Sequence, residues 1–373
     1  MISPLPLSNS SGFERRPEPV RSANGNVNGQ PLIDVRALKM HFPISAGIFG
    51  RTVGYVKAAD EVSFQIHPGE TLGLVGESGC GKTTVGRCLI RAYQPSGGEI
   101  LYRQPDGVEV DLAKMQRTEL APFRPQIRMI FQDPYSSLNP RMTVFEVVSE
   151  ALRVQGGLTA RQMEERVAAM LRRVGLRPEY MRRYPHAFSG GERQRIVIAR
   201  ALITDPRLIL ADEAVSALDV SVRAQILNLM EELRTQFNLT YLFVSHDLSV
   251  VRYICNRVVV MYVGKVVEIA QVDQLFQDPQ HPYTEALLSA VPIDNPRQRH
   301  SKERIRLEGD VADPSNPPSG CYFHPRCRYA RARCKNETPI LREVRPGHLS
   351  ACHFAEELTL HGAETVRSDF SNG

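Results

Sequence analysis

Thr71-Leu-Gly-Leu-Val-Gly-Glu-Ser-Gly-Cys-Gly-Lys-Thr83 is the stretch on which the fold of this chain turns. Its first five residues carry no charge, as expected of a strand buried on both faces. Gly76 to Thr83 then fits the spacing GxxxxGK followed by Thr or Ser, and a helical pattern starts near Lys82. Strand, glycine-rich turn and helix in that order are the context a phosphate-binding loop requires. Glycines let the backbone curl so that successive amides face an anion, at a helix N-terminus whose partial positive charge favours it. Gly76, Glu77, Ser78, Gly79, Cys80, Gly81 and Thr84 are therefore expected to contact a bound nucleotide. Lys82 would reach the β- and γ-phosphates, and Thr83 would offer its hydroxyl to Mg²⁺. A chance glycine turn is the bland alternative, and the flanking strand, helix and Thr argue against it.

Outward from this loop, further strands are expected at LIDVRAL (32–38), VSFQI (62–66), IRMIF (127–131), LILA (208–211), TYLFV (240–244) and RVVVMY (257–262). Apolar strands separated by helices imply a mostly parallel sheet covered on both faces, an α/β fold. Residues from about 133 to 205 read as a helical insertion, in which Thr159 can cap a helix with Val167, Met170, Leu171 and Val174 on one face. After Asp219, Val222, Ile226, Leu229, Met230 and Leu233 follow the same spacing. Residues 1–30 are rich in Ser, Asn, Gly and Pro and are expected to be disordered. A nucleotide-binding body would occupy 31–290, and a linker begins near Pro292. A Cys- and Pro-rich extension would run from 291 to 355, loosely structured from Pro339, with a disordered tail over 356–373.

Composition narrows the class. The 373 residues are 42% hydrophobic and 23% charged, enough to bury a large core. A net charge of +5, not massed in one block, excludes nucleic acid as the expected partner. The most apolar run, Val258 to Val267, is broken by Gly264 and Lys265 and is too short to span a bilayer. The N-terminus shows no secretory signal pattern. Any membrane spans are expected to come from other chains. Seven cysteines in a chain that reads as cytosolic do not suggest a disulfide framework.

A second phosphate-site element is Leu208-Ile-Leu-Ala-Asp212-Glu213. Asp212, at the end of a buried strand, suits the Mg²⁺ shell, and Glu213 beside it could polarise the attacking water. Two carboxylates at a buried strand end are costly unless metal or water satisfies them. Between the two elements lies Phe188-Ser-Gly-Gly-Glu-Arg-Gln-Arg195, which resembles the signature motif of ATP-binding-cassette ATPases. Gln132 in FQDPYSSLNP, Ser216-Ala-Leu-Asp219 and His246 in FVSHD follow the same family's order. The resemblance spans about residues 32 to 290.

That resemblance implies a P-loop cassette with a mostly parallel core sheet, an antiparallel β subdomain and a helical subdomain, working as a head-to-tail pair. Ser189, Gly190, Gly191 and Glu192 would meet the γ-phosphate of ATP held by the partner subunit. Gln132 would touch Mg²⁺ or the water, His246 the γ-phosphate, and Asp219 would lie at the dimer seam. Glu192 stands where Gln is commonest, and Ala214 replaces the usual Pro, which puts equal activity of the two composite sites in doubt. For adenine stacking, Phe49 is preferred over Tyr55; a core aromatic is the alternative reading of Phe49.

His281-Pro-Tyr-Thr-Glu-Ala-Leu-Leu-Ser-Ala-Val-Pro292 is similar to the segment that follows the ATPase domain in oligopeptide and dipeptide importers. The wording of the other motifs resembles the second of their two unlike ATPase subunits. This implies a peripheral protein at the cytoplasmic face of the bacterial plasma membrane. Its partners would be two transmembrane permease subunits, a different ATPase subunit and an external substrate-binding protein. A soluble cassette ATPase of DNA repair or translation is the rival; the short insertion and the lone cassette speak against it. Cys321, Cys327, Cys334 and Cys352 follow C-x5-C-x6-C-x17-C and could hold a tetrahedral Zn²⁺ or a 4Fe–4S cluster. The wide gaps and the family resemblance favour the cluster; free thiols are the bland reading.

Overall fold

Strands apolar on both faces need cover on both faces, and the computed structural model provides it over the residues it describes, 29–46, 51–291 and 305–363. Twelve strands lie in two sheets among these residues. β1 (Ile33–Ala46), β2 (Arg51–Ile66), β3 (Thr71–Val75), β4 (Gly97–Arg103), β5 (Glu109–Asp111) and β6 (Ile127–Ile130) come first. β7 (Leu208–Asp212), β8 (Thr240–Val244), β9 (Arg257–Tyr262), β10 (Lys265–Gln271), β11 (Arg342–Arg345) and β12 (His348–Ser350) follow. An antiparallel sheet has the order β2-β1-β4-β5, and the main sheet β11-β12-β10-β9-β3-β8-β7-β6. β9, β3, β8, β7 and β6 are parallel. β3, β7 and β8 are buried along their whole length, which is why they read as unbroken apolar runs.

Helices cover the main sheet. They are α1 (Lys82–Leu89), α2 (Pro134–Ser137), α3 (Val144–Gln155), α4 (Ala160–Arg173), α5 (Gly190–Leu202), α6 (Val220–Phe237), α7 (Leu248–Ile254), α8 (Val272–Gln277), α9 (Pro282–Ser289) and α10 (Ala332–Asn336). α2 to α5 fall between β6 and β7. α3 and α4 both open on a reciprocal capping box, Thr143 with Glu146 and Thr159 with Gln162, which satisfies amides that a helix start leaves unpaired. One apolar core lies under these helices and α6; a second joins β1, β2, β4 and α1 to the other face of the main sheet.

The C-terminal part departs from expectation. Chain beyond Pro339 was expected to be loose, with a disordered tail from 356, yet β12 pairs with β10 through Glu268 opposite Ser350 and Ile269 opposite Leu349. The exposed edge of β10 offers a row of unpaired backbone groups, and a short strand satisfies them without an apolar core of its own. Residues up to 363 pack back as well: the Ala363 amide donates to the Phe276 carbonyl at 2.7 Å and that of His361 to Glu285 at 3.0 Å. Residues 1–28, 292–304 and 364–373 lie outside the described residues, and with them most of the expected N-terminal disorder and the linker.

Phe323 anchors the extension. It is 2% exposed, with its ring centroid 5.2 Å from that of Tyr262 and 5.3 Å from that of Tyr283. Phe323→Ala should remove about 3 kcal/mol of packing locally, the usual cost of truncating a buried aromatic. Hydrogen–deuterium exchange should then quicken across residues 305–363 and stay slow in β3; unchanged exchange in the extension would disprove the anchor.

Candidate functional site

Of the residues singled out by sequence, the loop Gly76–Thr83, Gln132, Asp212, Glu213 and His246 gather at the C-terminal ends of the parallel strands, where open α/β sheets bind their ligands. Register makes this possible. Leu74 and Asp212 both lie opposite Val244, and Ala211 lies opposite Ile130 and Phe243, so β3, β6, β7 and β8 end side by side. Gly76–Gly81 leaves the end of β3 and feeds α1, whose first residue is Lys82. Gly76 and Gly81 have φ of 150° and 104°, and a Cβ would stand 2.2 Å from the Met261 carbonyl oxygen at the first and 2.0 Å from that of Ala58 at the second. Only glycine fits either place.

Lys82 is 5% exposed and donates to the carbonyls of Gly76 at 2.8 Å and Glu77 at 2.9 Å. Its ammonium is thus held inside the loop's own curl. Cys80 is buried beneath it, and desolvation raises its thiol's pKa. Ser78 and Gly79 are exposed, while Thr84 is half-buried on α1. The Thr83 hydroxyl donates to Asp212 Oδ1 at 3.1 Å, joining the loop to the end of β7. Burial raises the pKa of the Asp212 carboxyl, opposed by the Thr83 hydrogen bond. A hydroxyl and a largely desolvated carboxylate, both hard oxygen donors, fit Mg²⁺.

Glu213 is the point of convergence. Gln132 Nε2 donates to its Oε2 at 2.7 Å, and His246 Nδ1 lies 3.1 Å from its Oε1. Three segments, following β6, β7 and β8, thereby meet on one carboxylate. Glu213 holds a left-handed φ of 48°, which costs a non-glycine residue about 1 kcal/mol or more. Its amide donates to the Val244 carbonyl at 3.0 Å, and its carbonyl accepts from the Ser216 hydroxyl at 2.9 Å, so both sides of the strained residue are pinned. The side chain stays 18% exposed, open to water.

Ser189 caps α5, and the Glu192 carboxylate accepts from the Ser189 amide at 3.0 Å while the Glu192 amide donates back to the Ser189 hydroxyl. The unusual Glu192 therefore works as the third residue of a capping box. Gly191 faces Val222 of α6, where a Cβ would come within 2.7 Å. Among the described residues no hydrogen bond or ion pair links Ser189–Glu192 to the phosphate loop or to Glu213. Asp219 is exposed at the start of α6. Phe49 lies outside the described residues, and Tyr55 is 51% exposed on β2.

Sequence reasoning missed three residues. Gln194, fully buried on α5, donates to the Ala214 carbonyl at 2.7 Å and so ties the Ser189 helix to the turn after Glu213. The Tyr283 hydroxyl accepts from the Glu77 amide at 2.8 Å, and Arg326 pairs with the Glu77 carboxylate. HPYTEALLSAVP was a visible signal for Tyr283; nothing local marks Arg326. His281, capping α9 through Nδ1, is driven by burial to a pKa of about 3 and stays neutral.

Cys321, Cys327, Cys334 and Cys352 line one cavity of about 20 Å³, with His281, His324 and His353 also at its wall. Desolvation pushes the thiols of Cys321 and Cys352 up to about 11 and that of Cys327 up to about 12. Four thiols around one cavity are the right donors for a soft cation. Among the described residues, however, no three His, Cys, Asp or Glu side chains stand close enough together to hold a metal ion. No helix of the described residues is long and apolar enough to cross a membrane.

Comparison with known proteins agrees with this geometry. The ABC transporter family matches residues 59–216, and the family described as oligopeptide/dipeptide transporter, C-terminal region, matches 267–334. Oligopeptide transport ATP-binding protein AppF of Bacillus subtilis is 51% identical over 328 residues, covering 88% of this chain and 98% of that protein. Dipeptide transport ATP-binding protein DppF of Haemophilus influenzae is 48% identical over 322 residues, covering 86% and 96%. Among solved structures, the dimeric bacterial ABC transporter cassette MJ0796 superposes with a TM-score of 0.55 at 26% identity, over 64% of this chain and 98% of that one. CbiO1 of Clostridium perfringens, part of the cbiONQ complex, gives 0.55 at 25% over 66% and 90%.

Lys82→Ala removes the ammonium held inside the curled loop. Affinity for a non-hydrolysable ATP analogue, read by titration calorimetry, should fall at least tenfold, in line with the loss of a charge-assisted contact. Parent-like affinity would remove Gly76–Thr83 from the nucleotide site.

Proposed function

Because this chain belongs to the ATP-binding-cassette transporter ATPases, of the oligopeptide and dipeptide type, we propose that it powers uptake of di- and oligopeptides or related small cargo. The observation that carries the reading is the meeting of Gln132 and His246 on Glu213, beside Thr83 and Asp212 at the strand ends. The names of its relatives support peptide cargo. The chain binds and hydrolyses ATP. Its work as one half of a dimer on two permease subunits, with a different ATPase and an external binding protein, completes the proposal. The protein would sit peripherally at the cytoplasmic face of the plasma membrane, with residues 31–290 as the ATPase body and the extension from 291 appended.

In this reading Lys82 and the loop amides bind the phosphates, and Thr83 and Asp212 hold Mg²⁺, which when bound neutralises phosphate charge. Glu213 accepts a proton from the water as its oxygen adds to the γ-phosphorus and the bond from that phosphorus to the β–γ bridging oxygen breaks, leaving ADP and inorganic phosphate. Gln132 and His246 orient that carboxylate and reach the water and the γ-phosphate. Ser189, Gly190, Gly191 and Glu192, at the N-terminus of α5, present amides and a hydroxyl to the ATP of the partner subunit. Asp219 lies at the seam between subunits. Phe49 remains the proposed adenine contact.

Glu213→Gln keeps the shape of the side chain and removes its basicity. In proteoliposomes holding this chain, its companion ATPase and the permeases, ATP hydrolysis and peptide uptake should both fall about a thousandfold, several kcal/mol in the barrier, with ATP binding retained. Undiminished turnover would take Glu213 out of catalysis; ATP hydrolysis without peptide uptake in the parent assembly would refute the cargo.

The four cysteines are proposed to carry a 4Fe–4S cluster, with one Zn²⁺ as the second reading; they line one cavity, and their thiols would have to close in on the metal from the positions they hold here. Protein purified without oxygen should carry about four irons per chain, as a cluster held by four thiolates requires. One zinc per chain would move the site to the second reading, and neither metal would refute both.

A further inference from the structure

The phosphate loop carries a carboxylate at its second position, where an incoming triphosphate would meet like charge. Every polar group of Glu77 is engaged. Its amide donates to the Tyr283 hydroxyl at 2.8 Å, and its carbonyl accepts from Lys82 at 2.9 Å. Its carboxylate accepts from Arg326 twice, Nη1 to Oε2 at 2.7 Å and Nη2 to Oε1 at 3.2 Å. That is the forked pairing by which a guanidinium fixes both position and direction. Arg326 lies 249 residues downstream, in the extension, and its side chain is only 7% exposed. Its guanidinium also lies 5.9 Å from the ring centroid of Tyr262. The pair is shielded enough that its charges count.

We propose that Arg326 is a positioning residue for nucleotide binding: it neutralises Glu77 and, with Tyr283, holds the start of the phosphate loop in its curled form, so that the C-terminal extension sets ATP affinity. The inference rests on the reading of Gly76–Thr83 as the nucleotide site and deepens it. The extension is then part of the ATP site, acting through one residue of the loop. Arg326 also stands next to Cys327 and two residues from His324, both at the wall of the cysteine cavity.

The test is titration of the full chain with a non-hydrolysable ATP analogue and Mg²⁺. Arg326→Met keeps the stem against Tyr262 and deletes the charge; Kd should rise about tenfold, since an uncompensated carboxylate is left at the loop. Arg326→Lys, which restores charge without the fork, should recover only part of the loss. The double variant Glu77→Gln/Arg326→Met should bind at least about threefold more tightly than Arg326→Met alone, because no carboxylate is left to neutralise. Glu77→Gln completes the cycle. Parent-like binding by Arg326→Met would overturn the proposal. A double variant as weak as Arg326→Met alone would also overturn it, because the role would then be packing. Should Arg326→Met fail to fold, Arg326→Lys and the double variant carry the comparison with the same meanings. Lys82→Ala run alongside separates the two levels: if it binds like the parent, the nucleotide-site reading fails, and if it alone is weak, only the inference fails.

Discussion

A loop that cradles phosphates must keep its amides turned inward and admit no side chain at its tightest points. Gly76 and Gly81 meet that demand because carbonyl oxygens press on them from two directions, Met261 at the end of β9 and Ala58 in β2. The loop is therefore a wedge between the main sheet and the antiparallel sheet, and each layer shapes it. A methyl group at either glycine would push the layers apart or uncurl the loop. The placement of Lys82, and through Thr83 that of Asp212, depends on this contact.

The Glu213 carboxylate has a similar dependence on the sheet. Gln132 and Glu213 are 81 residues apart in the chain, and Glu213 and His246 are 33 apart. They meet because the strands that precede them are parallel neighbours ending at one level. A parallel sheet requires a crossover after each strand, so the residues just past the strand ends are delivered by separate connections to one edge. Glu213 holds its left-handed backbone because β8 supplies the partner for its amide. Gln194 adds a second tie, from α5 to the turn behind Glu213, so the helix that begins at Ser189 is joined to the segment that carries this carboxylate.

The extension changes how the remainder of the site is understood. Phe323 packs on Tyr262 and Tyr283; Tyr283 bonds the loop, and Arg326 reaches the same loop residue. β12 pairs with β10, and buried Glu268 bonds His348 at 2.6 Å, fastening the far side of the extension. A segment poor in apolar residues stays ordered here by borrowing a strand edge and an aromatic cluster from the ATPase body. It needs no separate core.

Elements whose information is local were legible in the sequence. Glycine spacing at 76–81, the Lys82-Thr83 pair, the Asp212-Glu213 strand end and the unbroken apolar strands each report backbone freedom, charge or two-sided burial within a few residues. The helical positions after Thr159 and Asp219 are of the same kind. Tertiary structure alone decided the order of the extension, since β11 and β12 are too short and too polar to announce themselves; β12 is held by backbone bonds to β10, and β11 by backbone bonds to β12. It alone revealed Gln194 on the Ala214 carbonyl and Arg326 on Glu77. A guanidinium paired across 249 residues leaves no periodicity and no motif, because its partner is chosen by the fold and not by its neighbours in the chain.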